Sequence, residues 1–445
     1  MKIEDAVLLA GENSRKKILG LPVLLRAILS AHRAGVQNFL IIGKAEDDEN
    51  FIESIKSDDR VFKNNLTINF LSLQEDKAGQ KEIPYPLAGK FYWLIDGNLI
   101  FDEEILIPFQ ESPPENERKI IFFWPQTTLQ ITEDKNHWPG LALCPQTAWP
   151  SLLLALQSSE TSEKDQVLLD KAFQDFWPEW RAAEDKYFIR VDSKAKEKEA
   201  IQSLLQTARK PLDSFIARHI NRHISLFFSR YLINLGLSST SLSIINFLFG
   251  VAGAVFASLG RGYWSFLIGG LLFEFSSIFD GCDGEAARLT YQTSEKGATF
   301  DVIFDALTYL LFFSGLAIGL YRASHRSLYI VLLGLFLLSL AWYYFNLYRY
   351  TRASGIGNKI FLVAKEVENK PKKEGKLSFF DRLASKLAFA VRRDFFATIV
   401  FLMMAAGGAS IIIFLVIIGS LIESTYFHFF TCKEIKKLNP HTGTV

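Results

Sequence analysis

The hydrophobic pattern changes character once along the chain. Up to about residue 210, apolar runs are short and are separated by charged or turn-forming stretches. In this part 6–10, 38–43, 66–73, 91–97 and 119–124 are apolar and rich in β-branched or aromatic residues, so they read as strands. Residues 21–35 and 50–57 carry helical spacing, 187–192 reads as a late strand, and 193–209 reads as an exit helix rich in Lys, Glu and Ala. This alternation predicts an α/β layer with a mainly parallel sheet. From about 235 to 432 the apolar runs lengthen to bilayer-crossing size and are broken only by brief polar connectors.

Run lengths predict six crossings, near 238–259, 262–287, 298–321, 327–348, 394–410 and 411–431. The last two are separated only around Gly407-Gly408, which predicts a tight hairpin. Residues 211–234 interleave Arg218, His219, Arg222, His223 and Arg230 with Ile, Leu and Phe, the pattern of a helix lying at the bilayer surface. The expected layout is a multi-domain chain: an α/β head over 1–209, an interfacial helix over 210–234, an all-α six-span body over 235–432 and a tail over 433–445.

Composition and charge sharpen this picture. A formal charge of +1 gives no bulk preference for nucleic acid, so none is expected as a partner. The stretch 351–393 holds eleven Lys or Arg, among them Lys372, Lys373, Lys376, Arg392 and Arg393, whereas the connectors near 260 and 322–326 hold far fewer. Positive-inside bias places that stretch, the head and the terminal Lys433, Lys436 and Lys437 in the cytoplasm, and an even number of crossings agrees. The expected location is the inner (plasma) membrane. Cys144, Cys282 and Cys432 have no metal-ligand spacing and fit a reducing compartment. The N-terminus, Met1-Lys-Ile-Glu-Asp, does not read as a signal peptide.

The chemistry concentrates between 279 and 305. Asp280 and Asp283 fall near the end of the second crossing at i,i+3, and Asp301 and Asp305 fall in the first turns of the third at i,i+4. Each pair shares a helix face. Four carboxylates at the membrane edge need an offsetting charge, and the nearby bases, Arg288 and Lys296, are too few. Oxygen-only ligands favour Mg²⁺, Mn²⁺ or Ca²⁺ over zinc, and two such ions about 3.5–4 Å apart suit phosphoryl transfer, with Mg²⁺ or Mn²⁺ the expected pair. Gly284, Ala287 and Gly297 continue the acid faces and remove side-chain bulk where a ligand must approach.

Asp280-x-x-Asp283-Gly284-x-x-Ala287-Arg288, eight residues, then Gly297-x-x-x-Asp301-x-x-x-Asp305 resembles the signature of the CDP-alcohol phosphotransferases at every fixed position. The resemblance covers roughly 210–432. It implies that Asp280, Asp283, Asp301 and Asp305 hold the metals and that Asp305 is also the base for the acceptor hydroxyl. It implies that Gly284 and Ala287 make room for cytidine and that Arg288 neutralises donor phosphate. The reaction implied releases CMP from a CDP-linked donor and passes its phosphoryl-bearing group to an alcohol acceptor, in a homodimer. CDP-diacylglycerol with a small polar acceptor stands first among donors, a soluble CDP-polyol second, and diacylglycerol as acceptor third. Arg218, Arg222, Arg392 and Arg393 are candidates for a phosphorylated acceptor, or simply for positive-inside anchoring. The stretch 237–243 lacks the Pro-Asn entry common in the family; Thr240 is there a candidate for nucleotide or for a helix cap. Intramembrane acids also mark cation transporters, but the positions of Gly284, Ala287, Arg288 and Gly297 do not follow from transport.

In the head, Gly11 to Lys17 followed by Gly20 and Pro22 resembles a worn nucleotidyltransferase opening, a glycine loop and basic residue that wrap a triphosphate. Asn98 stands where that family supplies a metal-binding Asp, with Asp96 close by. Asp192 sits where a second ligand is expected, with Arg190 at its partner position. Such a fused head resembles the arrangement of an inositol-phosphate cytidylyltransferase joined to a di-inositol-phosphate synthase. The alternative function implied is a bifunctional enzyme that makes a CDP-polyol and then a phosphodiester-linked polyol. The degraded loop favours a scaffold or regulatory head.

Overall fold

The computed structural model describes residues 2–43, 46–72, 89–125, 138–158, 172–183, 185–208, 222–354 and 393–438. Arg218, His219, the basic residues of 355–392 and the tail from 439 lie outside them, as do the side chains of His223, Lys296 and Arg393. By their contacts the residues form two units, Met1–Ala208 with Leu289–Tyr291, and Arg209–Arg288 with Gln292–Val445.

The first unit is built on strands β1 (Asp5–Leu9), β2 (Lys17–Ile18), β3 (Leu21–Pro22), β4 (Asn38–Gly43), β5 (Thr67–Ser72), β6 (Phe91–Asp96), β7 (Leu99–Phe101), β8 (Lys119–Pro125), β9 (Leu141–Pro145), β10 (Trp177–Ala183) and β11 (Phe188–Arg190). Seven of them form one sheet in the order β10-β8-β9-β6-β1-β4-β5, parallel except where β9 runs against β6 and β8. Helices α1 (Val23–Arg33), α2 (Glu46–Lys56), α3 (Asp59–Lys63), α4 (Ile107–Glu111), α5 (Trp149–Ser158) and α6 (Lys194–Thr207) complete the unit.

Strand alternation creates two cores. Leu8, Ile41, Trp93 and Phe123 point to one face and pack with Leu24 and Ile28 of α1. Val7, Ile42, Leu94 and Phe122 point to the other and pack with Trp149 and Leu152 of α5. The parallel α/β reading therefore holds, with three differences. The late strand β11 pairs with β7 in a separate two-stranded sheet. Strand β9 was not legible because it is buried throughout and shows no alternation. Strand β10 carries Pro178 and charged residues, which an edge position tolerates. Within this unit the fully buried Arg26 donates to the carbonyl oxygens of Ile18 and Leu289, Arg60 to that of Thr290, and Ser30 shares a hydrogen bond with Tyr291.

The second unit is all-α: α7 (Arg222–Asn234), α8 (Ser239–Leu259), α9 (Tyr263–Leu289), α10 (Glu295–Ser324), α11 (Leu328–Ser354), α12 (Arg393–Ala405) and α13 (Ala409–Leu438). Five of these are long and apolar enough to cross a membrane, and the described part of α12 is a shorter apolar helix. The chain is an integral membrane protein; among the described residues the run near 394–410 corresponds to the shorter helix α12, and the run near 411–431 to α13, which extends to Leu438.

The partners fix the helix directions. Phe247 stacks on Phe304, Gly250 abuts Thr308, and Ala254 and Ala257 meet Gly315 and Gly319, so α8 and α10 run parallel. Ser243 reaches Asp283, Asn246 reaches Ser276, and Gly253 abuts Gly269, so α8 and α9 run antiparallel. Tyr329–Ser410, Ser339–Ser420 and Asn346–His428 make α11 and α13 parallel. Small residues carry the α8–α10 contact: a Cβ at Gly315 or Gly319 would run into the backbone oxygen of Ala254 or Ala257.

Candidate active site

Helix α10 begins with Ser294 as its N-cap, whose Oγ accepts from Gly297 N at 3.0 Å. Asp301 and Asp305 follow one and two turns later. Helix α9 approaches its C-terminus with Asp280 and Asp283. Carboxylate oxygens of Asp280, Asp301 and Asp305 lie within 4.8 Å of one another, all three residues being partly buried. Three oxygen donors from two helices suit a hard divalent cation such as Mg²⁺ or Mn²⁺.

Asp283 sits differently. It is buried, its Oδ2 accepts from Ser243 Oγ at 2.6 Å, and its backbone oxygen accepts from Ser239 Oγ at 3.0 Å. Asn246 completes this wall. Its amide nitrogen is 3.5 Å from Asp280 Oδ1 and its oxygen accepts from Ser276 Oγ at 2.7 Å. Ser239, Ser243 and Asn246 are i, i+4 and i+7 on α8, one face of an otherwise apolar helix. Sequence reasoning singled out Thr240, which is exposed, while Ser238 is the cap. The signal that finds the other three is their helical period within a segment of mean hydropathy 2.0.

Gly284 lies under the Arg288 guanidinium; a Cβ there would stand 3.3 Å from Nη1. Ala287 and Arg288 are partly buried, and Gly297 is exposed with its N–H already used by the cap. Arg222 is not a surface base. It is buried, and its Nη1 donates to Glu285 Oε1 at 2.6 Å. Cys282 is buried with its thiol 3.4 Å from Ser225 O, as a small helix residue would be.

Residues 238–406 match the family model for CDP-alcohol phosphatidyltransferase. All four acids, Arg288 and the α8 hydroxyls fall inside the CDP-alcohol phosphatidyltransferase match. Among curated proteins the chain is similar to the bifunctional IPC transferase and DIPP synthase of Archaeoglobus fulgidus, 36% identical over 132 residues, 29% of this chain and 26% of that protein. It is also similar to the protein of the same name from Aquifex aeolicus, 34% identical over 135 residues, 30% of each chain. The matches thus span under a third of the length of these relatives. Among solved structures it is similar to the inositol-1-phosphate CTP transferase from T. maritima, with 10% identity, TM-score 0.32, and 46% of this chain and 96% of that chain covered. It is similar too to 4-diphosphocytidyl-2C-methyl-D-erythritolsynthase from Anaerococcus prevotii, with 14% identity, TM-score 0.33, and 46% and 98% covered.

The head residues singled out in the sequence also meet. Asn98 N donates to Asp96 Oδ1 at 2.9 Å, Gly11 N to Ser14 Oγ at 2.8 Å, and Ser14 Oγ to Asn98 Oδ1 at 3.2 Å. Arg190 Nε lies 2.8 Å from Asp96 Oδ2, and Lys16 Nζ lies 2.6 Å from Glu197 Oε2. Asp192 is exposed, and its backbone N donates to Arg190 O at 3.2 Å.

Proposed function

We propose that the chain is a membrane transferase that moves a phosphatidyl or phospho-alcohol group from a CDP-linked donor to an alcohol acceptor and releases CMP. The observation that carries this is the meeting of Asp280, Asp301 and Asp305 from two membrane helices, within a segment that matches the CDP-alcohol phosphatidyltransferase model. In this reading 1–209 is the head, 210–234 the interfacial helix, 235–432 the catalytic body and 433–445 the tail. The head, the site and both ends face the cytoplasm of the inner membrane, as the basic stretch 351–393 supports. The body assembles as a homodimer.

Asp280, Asp301 and Asp305 would hold Mg²⁺ or Mn²⁺, and Asp283 would join them for a second ion. When bound, such ions neutralise pyrophosphate charge and acidify a neighbouring hydroxyl. Ser243 and Asn246 orient Asp283 and Asp280 before substrate arrives. Arg288 is the cation for donor phosphate, with Gly284 leaving space beneath it and Ala287 one turn on for the cytidine. Asp305 takes the acceptor proton. Gly297 keeps the entrance to α10 free of a side chain.

Purified protein with Mg²⁺ or Mn²⁺, offered a panel of CDP-linked donors and alcohols, is expected to release CMP. Asp305→Asn should lower the rate by about 10²–10⁴-fold. Failure of every donor, or full activity in Asp305→Asn, would overturn the reading, and cation flux without CMP release would turn it into a transporter.

The name of these relatives joins an IPC transferase to a DIPP synthase. This favours a soluble CDP-polyol over CDP-diacylglycerol as donor and a phosphodiester-linked polyol as product. It also supports a second reading, in which the head makes the donor from CTP and a polyol phosphate. Against head turnover stand Asn98 at the metal-ligand position and the ion pairs on Asp96 and Lys16.

A further inference from the structure

Glu285 lies within the signature at a variable position, and the proposed chemistry does not use it. It is fully buried. Its Oε1 accepts from Arg222 Nη1 at 2.6 Å and Ser225 Oγ at 2.7 Å, and its Oε2 accepts from Ser229 Oγ at 2.7 Å. The three donors are i, i+3 and i+7 on α7, one face of that helix. Phe227 and Tyr231 on the opposite stripe of α7, and Leu235 just past its end, are exposed. Around α9, at 3.6 residues per turn, Glu285 stands about 140° from Asp280 and about 160° from Asp283. Helix α7 therefore grips α9 on the side away from the acids. Gly281 allows the approach, since a Cβ there would stand 3.3 Å from Ser225 Cβ.

We propose that Glu285 is a positioning residue: held by Arg222, Ser225 and Ser229, it sets the rotation of α9 so that Asp280 and Asp283 face Asp301 and Asp305. This rests on the transferase reading of the acid site. Apolar packing alone would hold the two helices together, but it is non-directional. Three hydrogen bonds to one buried carboxylate accept only a narrow range of rotation, the register-setting use of a buried polar group. The leverage is large. A carboxylate about 5–6 Å from the helix axis moves about 2 Å when the helix turns by about 20°. Oxygens of Asp280, Asp301 and Asp305 lie within 4.8 Å of one another, so such a move of Asp280 dismantles the set.

The test uses the full chain in detergent, with Mn²⁺ binding followed by electron paramagnetic resonance and CMP release followed in parallel. Glu285→Gln keeps the shape and removes the charge. It is expected to weaken Mn²⁺ binding and lower kcat by about 10–100-fold, the usual cost of losing support behind a metal ligand. The donor KM should change much less, and Arg222→Lys should stay nearer wild type than Arg222→Met. Wild-type Mn²⁺ affinity and kcat in Glu285→Gln would overturn the proposal, as would absence of Mn²⁺ binding by the unaltered chain. Where Glu285→Gln does not fold, the Ser225→Ala, Ser229→Ala double variant decides. Weakened Mn²⁺ binding supports the proposal, and unchanged binding overturns it. If no donor yields CMP while the variants still lower Mn²⁺ affinity, the transferase reading fails and the positioning role stands.

Discussion

Single carboxylates in this chain do different work according to what touches them. Asp280, Asp301 and Asp305 point their oxygens at one another, whereas Asp283 and Glu285, on the same helix as Asp280, are each held by hydroxyls from a neighbouring helix. In the head, Asp58 caps α3 and binds Arg60 through both oxygens, at 2.7 and 2.6 Å. Burial alone would raise the Asp58 carboxyl, but the Arg60 hydrogen bonds and charge outweigh it and hold the group below its ordinary range. A carboxyl lowered on folding contributes stability above its unfolded value and loses it as pH falls through the folded one. The unaltered chain should therefore lose a stabilising increment below about pH 4 that Asp58→Asn never has. Thermal midpoints of the head transition for the two proteins should converge as the pH is lowered; a constant gap from pH 7 to pH 3 would refute the assignment.

At the scale of elements, the α8–α10 contact sets how close acid-bearing α10 comes to α8, the helix whose Ser243 and Asn246 meet the acids of α9. Gly315→Leu would force α10 away from the Ala254 backbone. The expected cost is about 1–3 kcal/mol of stability. Because about 1 Å of misplacement costs about 10²-fold in rate, CMP release should fall further than the thermal midpoint suggests. Retained activity with an unchanged midpoint would show that the contact is slack. Element identity was mostly legible. The strands β1, β4, β5, β6 and β8 and the four long helices α8 to α11 announce themselves by period or run length. Strand β9, buried on both faces, and β10, interrupted by Pro178, carry no such period. In the candidate site, the grouping of Asp280, Asp301 and Asp305 was legible from spacing within one segment, while Asp283 is held by Ser243 instead. The roles of Ser243, Asn246 and Arg222 were not, because each depends on which helix face it meets, 30 to 63 positions away.

At the scale of the molecule, an α/β unit and a membrane unit share one chain. The ion pairs Arg190–Asp96 and Lys16–Glu197 neutralise the charges that a metal-bound nucleotide would use. Incubation of the full chain with CTP, Mg²⁺ and a polyol phosphate is accordingly expected to yield no pyrophosphate, while CMP appears from a ready-made CDP-polyol. Pyrophosphate formation at a comparable rate would establish the bifunctional reading instead.

The parallel pairing of alternate helices bears on how the protein is made. Helix α11 ends at Ser354 and its partner α13 begins only at Ala409, 55 positions later. Ser420 and His428 follow Ser339 and Asn346 by 81 and 82 positions, so at about 5–20 residues per second these side chains wait roughly 4–16 s for their partners. For that interval Ser339 Oγ and Asn346 Nδ2 have the carbonyl oxygens of Phe336 and Trp342 on their own helix to donate to. The time taken to translate the intervening stretch thus bears on assembly of the bundle alongside the finished contacts.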